Sequence, residues 1–274
     1  NFLMVEIENK YKIYEKKFGY FNWIGFQTLV TKEILRFLKV FGQTLGAPVI
    51  NIVLFFTVLN IAIGDSGRSG ALGTNFMNFL LPGLIAQQAM TQAFAHSSSS
   101  LIIQKIQGNL FDTLVAPLSA FETVTAIILA SISRGFLIAL ISILIFSFII
   151  DIRIESFLHV FVVLFFSTFI MGALGVMAGQ YANKFDELAT IQTFLVLPVS
   201  FLSGTFFSIQ KLPEILQKVM LINPFFYMVD TFRFGFISNS DGSTKVGLIY
   251  LFLLTMIIWY LCWKLFKSGY RIKA

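Results

Sequence analysis

Few residues in this chain could do chemistry, and their spacing limits what that chemistry can be. His96 precedes four serines at 97–100, Arg134 stands alone in an apolar run, and Asp230 and Arg233 lie three apart. Asp112 sits in a short connector, and Cys262 is the single cysteine, which excludes an internal disulfide. No set of His, Cys, Asp or Glu has metal-ligand spacing. There is no G-x-x-x-x-G-K-[ST] loop to cradle the phosphates of ATP. No two acids fall in adjacent apolar runs, as a proton relay would need. The expectation is a chain with no catalytic residue, no metal and no cofactor of its own. A guanidinium at Arg134 costs about 2.5–3.5 kcal/mol on insertion scales if placed centrally in a bilayer. Glu122 is twelve positions away, too far for an intrahelical pair, so Arg134 either snorkels or meets a partner across helices. His96 reads as structural.

The elements around these residues are apolar. Of 274 residues, 57% are hydrophobic and 12% charged, about half the charge a soluble surface needs, so lipid is the expected solvent. The net charge of +6 lies beside the hydrophobic runs and suits anionic headgroups rather than nucleic acid. The first 20 residues are polar and predict no cleaved signal peptide. A span needs about 20 apolar residues, and six runs qualify: 47–63, 76–94, 123–150, 157–178, 188–207 and 246–266. The first is short and extends toward Thr44; the third is long enough to tilt. Continuous runs favour helices over barrel strands.

Lysine and arginine set the orientation. Lys10, Lys12, Lys16, Lys17, Lys32, Arg36, Lys39, Lys105, Lys184, Lys264, Lys267, Arg271 and Lys273 fall on one side. Arg68, Arg153, Lys211, Lys218, Arg233 and Lys245 fall on the other, a ratio of thirteen to six that predicts cytoplasmic termini. Within residues 20–43, Phe26, Val30, Ile34, Phe37, Leu38 and Phe41 recur at helical spacing opposite Lys32, Arg36 and Lys39, predicting a basic amphipathic helix in the membrane interface.

Three further segments invite a functional reading. In the loop 104–118, Gly108 and Asn109 break the preceding helix, and a short helical piece ends at Pro117. That piece puts Leu110, Leu114 and Phe111 toward one face and Asp112 and Thr113 on another. At the end of the fifth run, small residues around Gly204 permit close helix approach, and Phe206 and Phe207 could form a constriction. The outer segment 208–245 opens a helix at Pro213-Glu214, with Glu214 and Lys218 at i, i+4. It breaks at Asn223-Pro224 and resumes over 225–236, predicting two short helices folded back into the outer leaflet, with Asp230 and Arg233 paired at the rim.

Together these segments resemble the membrane subunit of ABC-2 type exporters over nearly the whole chain. Leu202-Ser203-Gly204-Thr205-Phe206, Leu212-Pro213 and Asn223-Pro224-Phe225-Phe226-Tyr227-Met228-Val229-Asp230-Thr231-Phe232-Arg233 look like that family's small-Gly-x-Phe, Leu-Pro, Asn-Pro-x-x-Tyr and Asp-x-x-Arg series. The stretch from Gln107 to Ser119 resembles its first cytoplasmic loop, with Gln107 and Asn109 where the family usually carries charge. The resemblance implies an all-α integral membrane protein that forms a single transmembrane domain over 1–274. Its six spans would be joined by an amphipathic interface helix, a cytoplasmic coupling helix and outer re-entrant helices, in a bacterial inner membrane. It implies two permease subunits, identical by expectation, on two separate ATPase subunits that bind ATP and Mg. ATPase coupling would fall to Gln107, Asn109, Leu110, Phe111, Asp112, Thr113, Leu114 and Pro117, and the path would open along the second and fifth spans. Leu202, Gly204, Phe206, Phe207, Pro213, Asn223, Pro224, Tyr227, Asp230 and Arg233 would form the outer gate and cap. The substrate would be amphiphilic, lipid-linked, polysaccharide or drug-like. A membrane-embedded lipid or glycan transferase, and an ATP-independent channel or carrier, are the alternatives.

Overall fold

The computed structural model describes residues 20–63, 76–150 and 152–271. Lys10, Lys12, Lys16, Lys17, Arg68 and Lys273, used in the orientation count, lie outside that range. The described residues form eleven α-helices and no strands. Helix α1 (Trp23–Leu38) leads through a π-turn at Gly42–Gly46 into α2 (Ala47–Ile63). Then come α3 (Phe76–Ile106), the short α4 (Leu110–Val115), α5 (Ala120–Ser147) and α6 (Phe157–Tyr181). A broken stretch follows, with α7 (Phe185–Ile191), a π-turn at Gln192–Val196 and α8 (Leu197–Phe201). After it lie α9 (Glu214–Met220), α10 (Pro224–Ile237) and α11 (Thr244–Lys267).

Among the described residues, four segments are long and apolar enough to cross a membrane: Gly42–Ala62, Ala120–Ser147, Phe157–Tyr181 and Thr244–Lys267. The other two expected spans take different forms. Residues 76–94 are the first part of a 31-residue helix that also carries Gln87, Gln88, Gln92, His96 and the serines 97–100. Residues 188–207 are divided among α7, the π-turn, α8 and the turn at Gly204. Pro198 sits in the first turn of α8, where its missing N–H costs nothing.

Helix α3 is the axis of the molecule. It packs against α6, α5, α10 and α2, and most of its length is buried. Lipid supplies no hydrophobic force between helices, so close backbone approach must hold them. Gly175 and Gly179 of α6 provide it: a Cβ at Gly175 would stand 2.5 Å from the Phe94 carbonyl oxygen, and one at Gly179 2.6 Å from that of Ser98. Helices α2 and α11 expose apolar stripes, including Ile50, Leu54 and Val58, and Ile249, Leu253 and Ile257, which suit lipid.

Candidate functional site

At one end of the bundle three elements interlock. Asn22 caps α1, its Oδ1 accepting from Gly25 N at 3.0 Å. The same side chain donates through Nδ2 to the Pro117 carbonyl beyond α4 at 3.0 Å, and its backbone N–H donates to Glu122 Oε1. Glu122 also closes the capping box of α5, where Ser119 N donates to Oε2 and Ser119 Oγ accepts from Glu122 N. One carboxylate thereby holds the N-termini of two helices, and Pro117, which ends the α4 connector, is tied to both.

Farther along α1 lies a residue that the apolar spacing passed over. The buried stripe is Phe26, Leu29, Glu33 and Phe37; Leu38 and Phe41 are exposed and Val30 and Ile34 half-buried. The face is rotated from the expected one, and Glu33 is at its centre with none of its surface exposed. Its Oε2 accepts from Ser100 Oγ at 2.8 Å and pairs with Arg36 Nε at 3.1 Å, and His96 Nε2 stands 3.7 Å away. Gln104 Nε2 reaches Oε1 at 3.5 Å and Ser100 Oγ at 3.1 Å. Arg36 turns inward to the His96 carbonyl at 3.1 Å instead of joining Lys32 and Lys39 in the solvent, because the buried carboxylate attracts it. The signal in the sequence was an acid at i+4 from Leu29 and i−4 from Phe37.

The network extends to α4. Gly108 takes a left-handed φ of 75°, which turns the chain from α3 into α4 at no steric cost. Thr113 Oγ1 then donates to Gln104 Oε1 at 2.9 Å. Leu110 is buried, whereas Phe111 and Leu114 are 71% and 43% exposed and Asp112 is exposed. The inner face of α4 is therefore Leu110 and Thr113, not the Leu110–Leu114 pairing that spacing suggested. Gln107 and Asn109 are exposed and bond each other across the turn at 3.4 Å. Between α1 and α4 lies an open groove of about 390 Å³, with Gly25, Thr28 and Lys32 on one wall and Asp112, Thr113 and Pro117 on the other.

The opposite end is built on main-chain atoms. Gly204 adopts φ 73° and turns the chain so that its carbonyl and that of Thr205 point at Arg233. Arg233, fully buried on α10, donates to Phe79 O at 3.0 Å, Gly204 O at 2.8 Å and Thr205 O at 3.4 Å, and lies over the Phe79 ring at 3.7 Å. Asp230 accepts from the backbone N–H groups of Asp241 and Gly242, each at 2.9 Å. The two side chains expected to pair thus bond to backbone instead, and they lie buried rather than at a rim. Asn223 caps α10 through Phe225 N at 3.0 Å, while its Nδ2 donates to Val199 O and Leu202 O at 3.1 and 3.0 Å. Pro224 is the first residue of α10 and Pro213 the N-cap of α9. Tyr227 packs on Tyr250, and Phe206 stacks on Phe201. Leu202 and Phe207 line a small apolar pocket of about 100 Å³ with α9. No group of three metal-ligating side chains exists among the described residues.

An all-helical bundle whose described residues include four helices apolar and long enough to cross a bilayer is that of a multi-pass membrane protein. The chain matches the ABC-2 type transporter family over residues 24–237 and belongs to it. It is 29% identical over 255 residues to the inner membrane transport permease YadH of Escherichia coli strain K12, covering 92% of this chain and 98% of that protein. The protein of the same name from Shigella flexneri matches equally. Nodulation protein J of Neorhizobium galegae is 20% identical over 248 residues, 86% of this chain and 90% of that protein. The family's role is membrane transport.

Proposed function

We propose that this chain is the transmembrane subunit of an ATP-driven exporter, a single domain over 1–274 with six spans and both termini cytoplasmic. Two copies sit on two ATPase subunits, which supply ATP and Mg. Helix α4 is the coupling helix, and the substrate is an amphiphilic, lipid-linked, polysaccharide or drug-like compound moved out of the cytoplasm or inner leaflet.

The observation that carries this reading is the hydrogen-bonded route Thr113–Gln104–Ser100–Glu33. It joins a short helix with exposed Phe111 and Leu114 to both α1 and the central α3. A force on α4 is thereby felt by the interface helix α1 and by α3, which carries the second expected span and so one side of the expected path, an arrangement suited to a two-state transporter. At the other end, the half-buried Phe206 and Phe207, the latter beside α9, serve as the outer gate, and α9 and α10 cap the exit.

The test is ATPase turnover of the co-purified complex in nanodiscs, comparing wild type with Asp112→Ala and Leu114→Glu. Asp112→Ala is expected to uncouple turnover from substrate and Leu114→Glu to dissociate the ATPase. If no ATPase co-purifies and transport proceeds without nucleotide, the reading fails.

A further inference from the structure

Arg134 stands at the midpoint of the 28-residue α5, about 21 Å along the axis from Ala120 at 1.5 Å per residue. At that depth a guanidinium is most costly to keep in an apolar medium. Only 8% of its surface is exposed. One terminal nitrogen donates across helices to Gln92 Oε1 on α3, a neutral acceptor, and the buried Nε has no partner. No described carboxylate forms an ion pair with it.

The neighbouring charges do not make up the difference. Gln92, His96, Ser100 and Gln104 follow one another at four-residue spacing along one face of α3. Three of them surround Glu33, which Arg36 already engages. Arg36 reaches the His96 carbonyl, one turn from the residue that receives Arg134. Among the described residues, two guanidiniums, the half-buried Arg36 and the buried Arg134, thus flank this face with one carboxylate, Glu33, and the charge on Arg134 is left over. On the same stretch of α3, Gln87, Gln88, Thr91 and Gln92 are half-buried, a run of hydrogen-bonding groups in the otherwise apolar middle of the helix, and of these Gln92 is the one bonded to Arg134. Intramembrane cations of this kind mark a binding pathway when nothing in the protein neutralises them.

We propose that Arg134, presented by Gln92, receives the anionic headgroup of an amphiphile, a phosphate or carboxylate whose charge completes the buried set while its tail stays in lipid. The proposal rests on the transport reading above for its purpose, but not for its chemistry. The same headgroup could belong to the transported compound or to a resident anionic lipid.

Both are separable by experiment. The purified full-length chain in phosphatidylcholine nanodiscs is titrated with radiolabelled dodecyl phosphate, comparing wild type with Arg134→Lys, Arg134→Gln and Gln92→Leu. Wild type is expected to bind saturably, without competition from dodecyl maltoside. Arg134→Gln should weaken binding by roughly tenfold or more, as loss of a charge-assisted contact does, while Arg134→Lys stays within about threefold. Gln92→Leu, which keeps the cation, should weaken it measurably and gives a result even if Arg134→Gln fails to yield folded protein. With the ATPase partner present, stimulation by dodecyl phosphate identifies a transported amphiphile, and binding without stimulation a resident lipid; both support the site. Absence of saturable binding in wild type, or wild-type affinity in both Arg134→Gln and Gln92→Leu, overturns it. Failure of an ATPase to co-purify would count against the exporter reading alone, because the binding titration uses the isolated chain.

Discussion

At the Gly204 end of the bundle, Arg233 gives its donors to three main-chain carbonyls on α3 and the Gly204 turn, and Asp230 takes two main-chain N–H groups. At the α4 end, Glu33 is surrounded almost wholly by side chains: Arg36, His96, Ser100 and Gln104. The distinction has mechanical consequences. A carbonyl is fixed by the backbone around it, so the Arg233 site has one good geometry and holds its elements rigidly. Side-chain partners each have several rotamers, so the Glu33 network can exchange partners without orphaning a buried group. One end is suited to be a lock and the other a joint.

The sharpest way to break this comparison is Arg233→Met. It leaves the buried Gly204 and Thr205 carbonyls without the donor they have now and takes the second bond from the helical Phe79 carbonyl, at about 1–3 kcal/mol for each unsatisfied group. Loss of the monodisperse peak in detergent size-exclusion chromatography is expected, with no assembled complex to assay. A variant that assembles normally would show that the Arg233 site is not a lock.

Next in size is Glu33→Gln, which keeps the shape and removes the charge. The bond to Arg36 loses its ionic character, worth about 1.5–3 kcal/mol for a charged hydrogen bond, yet Ser100 and Gln104 can still donate. Near-normal extraction and ATPase association are expected, with substrate-stimulated turnover in nanodiscs reduced roughly tenfold, the factor that 1.4 kcal/mol represents. If Glu33→Gln fails to assemble just as Arg233→Met does, the two ends do not differ in kind.

How much of this was legible beforehand follows the same divide. Helix α2 begins and ends where the apolar run 47–63 does, and the Asn223-Pro224 break, the Pro213 start and the Gly108 turn were readable because they depend on local backbone rules. Residues 188–207 read as one continuous span because apolar content does not reveal the π-turn at Gln192–Val196 that interrupts it. Glu33 escaped because Leu29 and Phe37 beside it are diluted among other apolar residues, so period alone chose a neighbouring face. Its partners Ser100 and Gln104 on α3 lie 67 and 71 positions away, beyond any local pattern. Asp230 and Arg233 suggested a mutual pair because i, i+3 spacing allows one; only the tertiary fold brings the Gly204 and Phe79 carbonyls close enough to compete.

A smaller effect is expected from Asn223→Ala. Helix caps of this type contribute about 1 kcal/mol, and the change also removes two donors to the end of the fifth apolar segment. A lower thermal midpoint is expected, with the coupling ratio of transport to ATP hydrolysis unchanged. A change in that ratio would assign the cap a moving role.

The smallest structural effect, and the most discriminating, is expected from Thr113→Val. Valine replaces the hydroxyl by a methyl group of similar shape and removes only the bond to Gln104 Oε1. Thr113 is half-buried, so water can replace the lost partner, and the stability change should stay under about 1 kcal/mol. That bond, however, links α4 to the Glu33 network. If force passes through it, basal ATPase activity should be retained while substrate-stimulated turnover falls severalfold. Asn223→Ala supplies the matched control, since it breaks more bonds at the rigid end and should do the reverse. A Thr113→Val complex with lower thermal stability and unchanged coupling would place transmission elsewhere, in the clamp that Asn22 and Glu122 make around Pro117, and Asn22→Ala would then be the variant that uncouples.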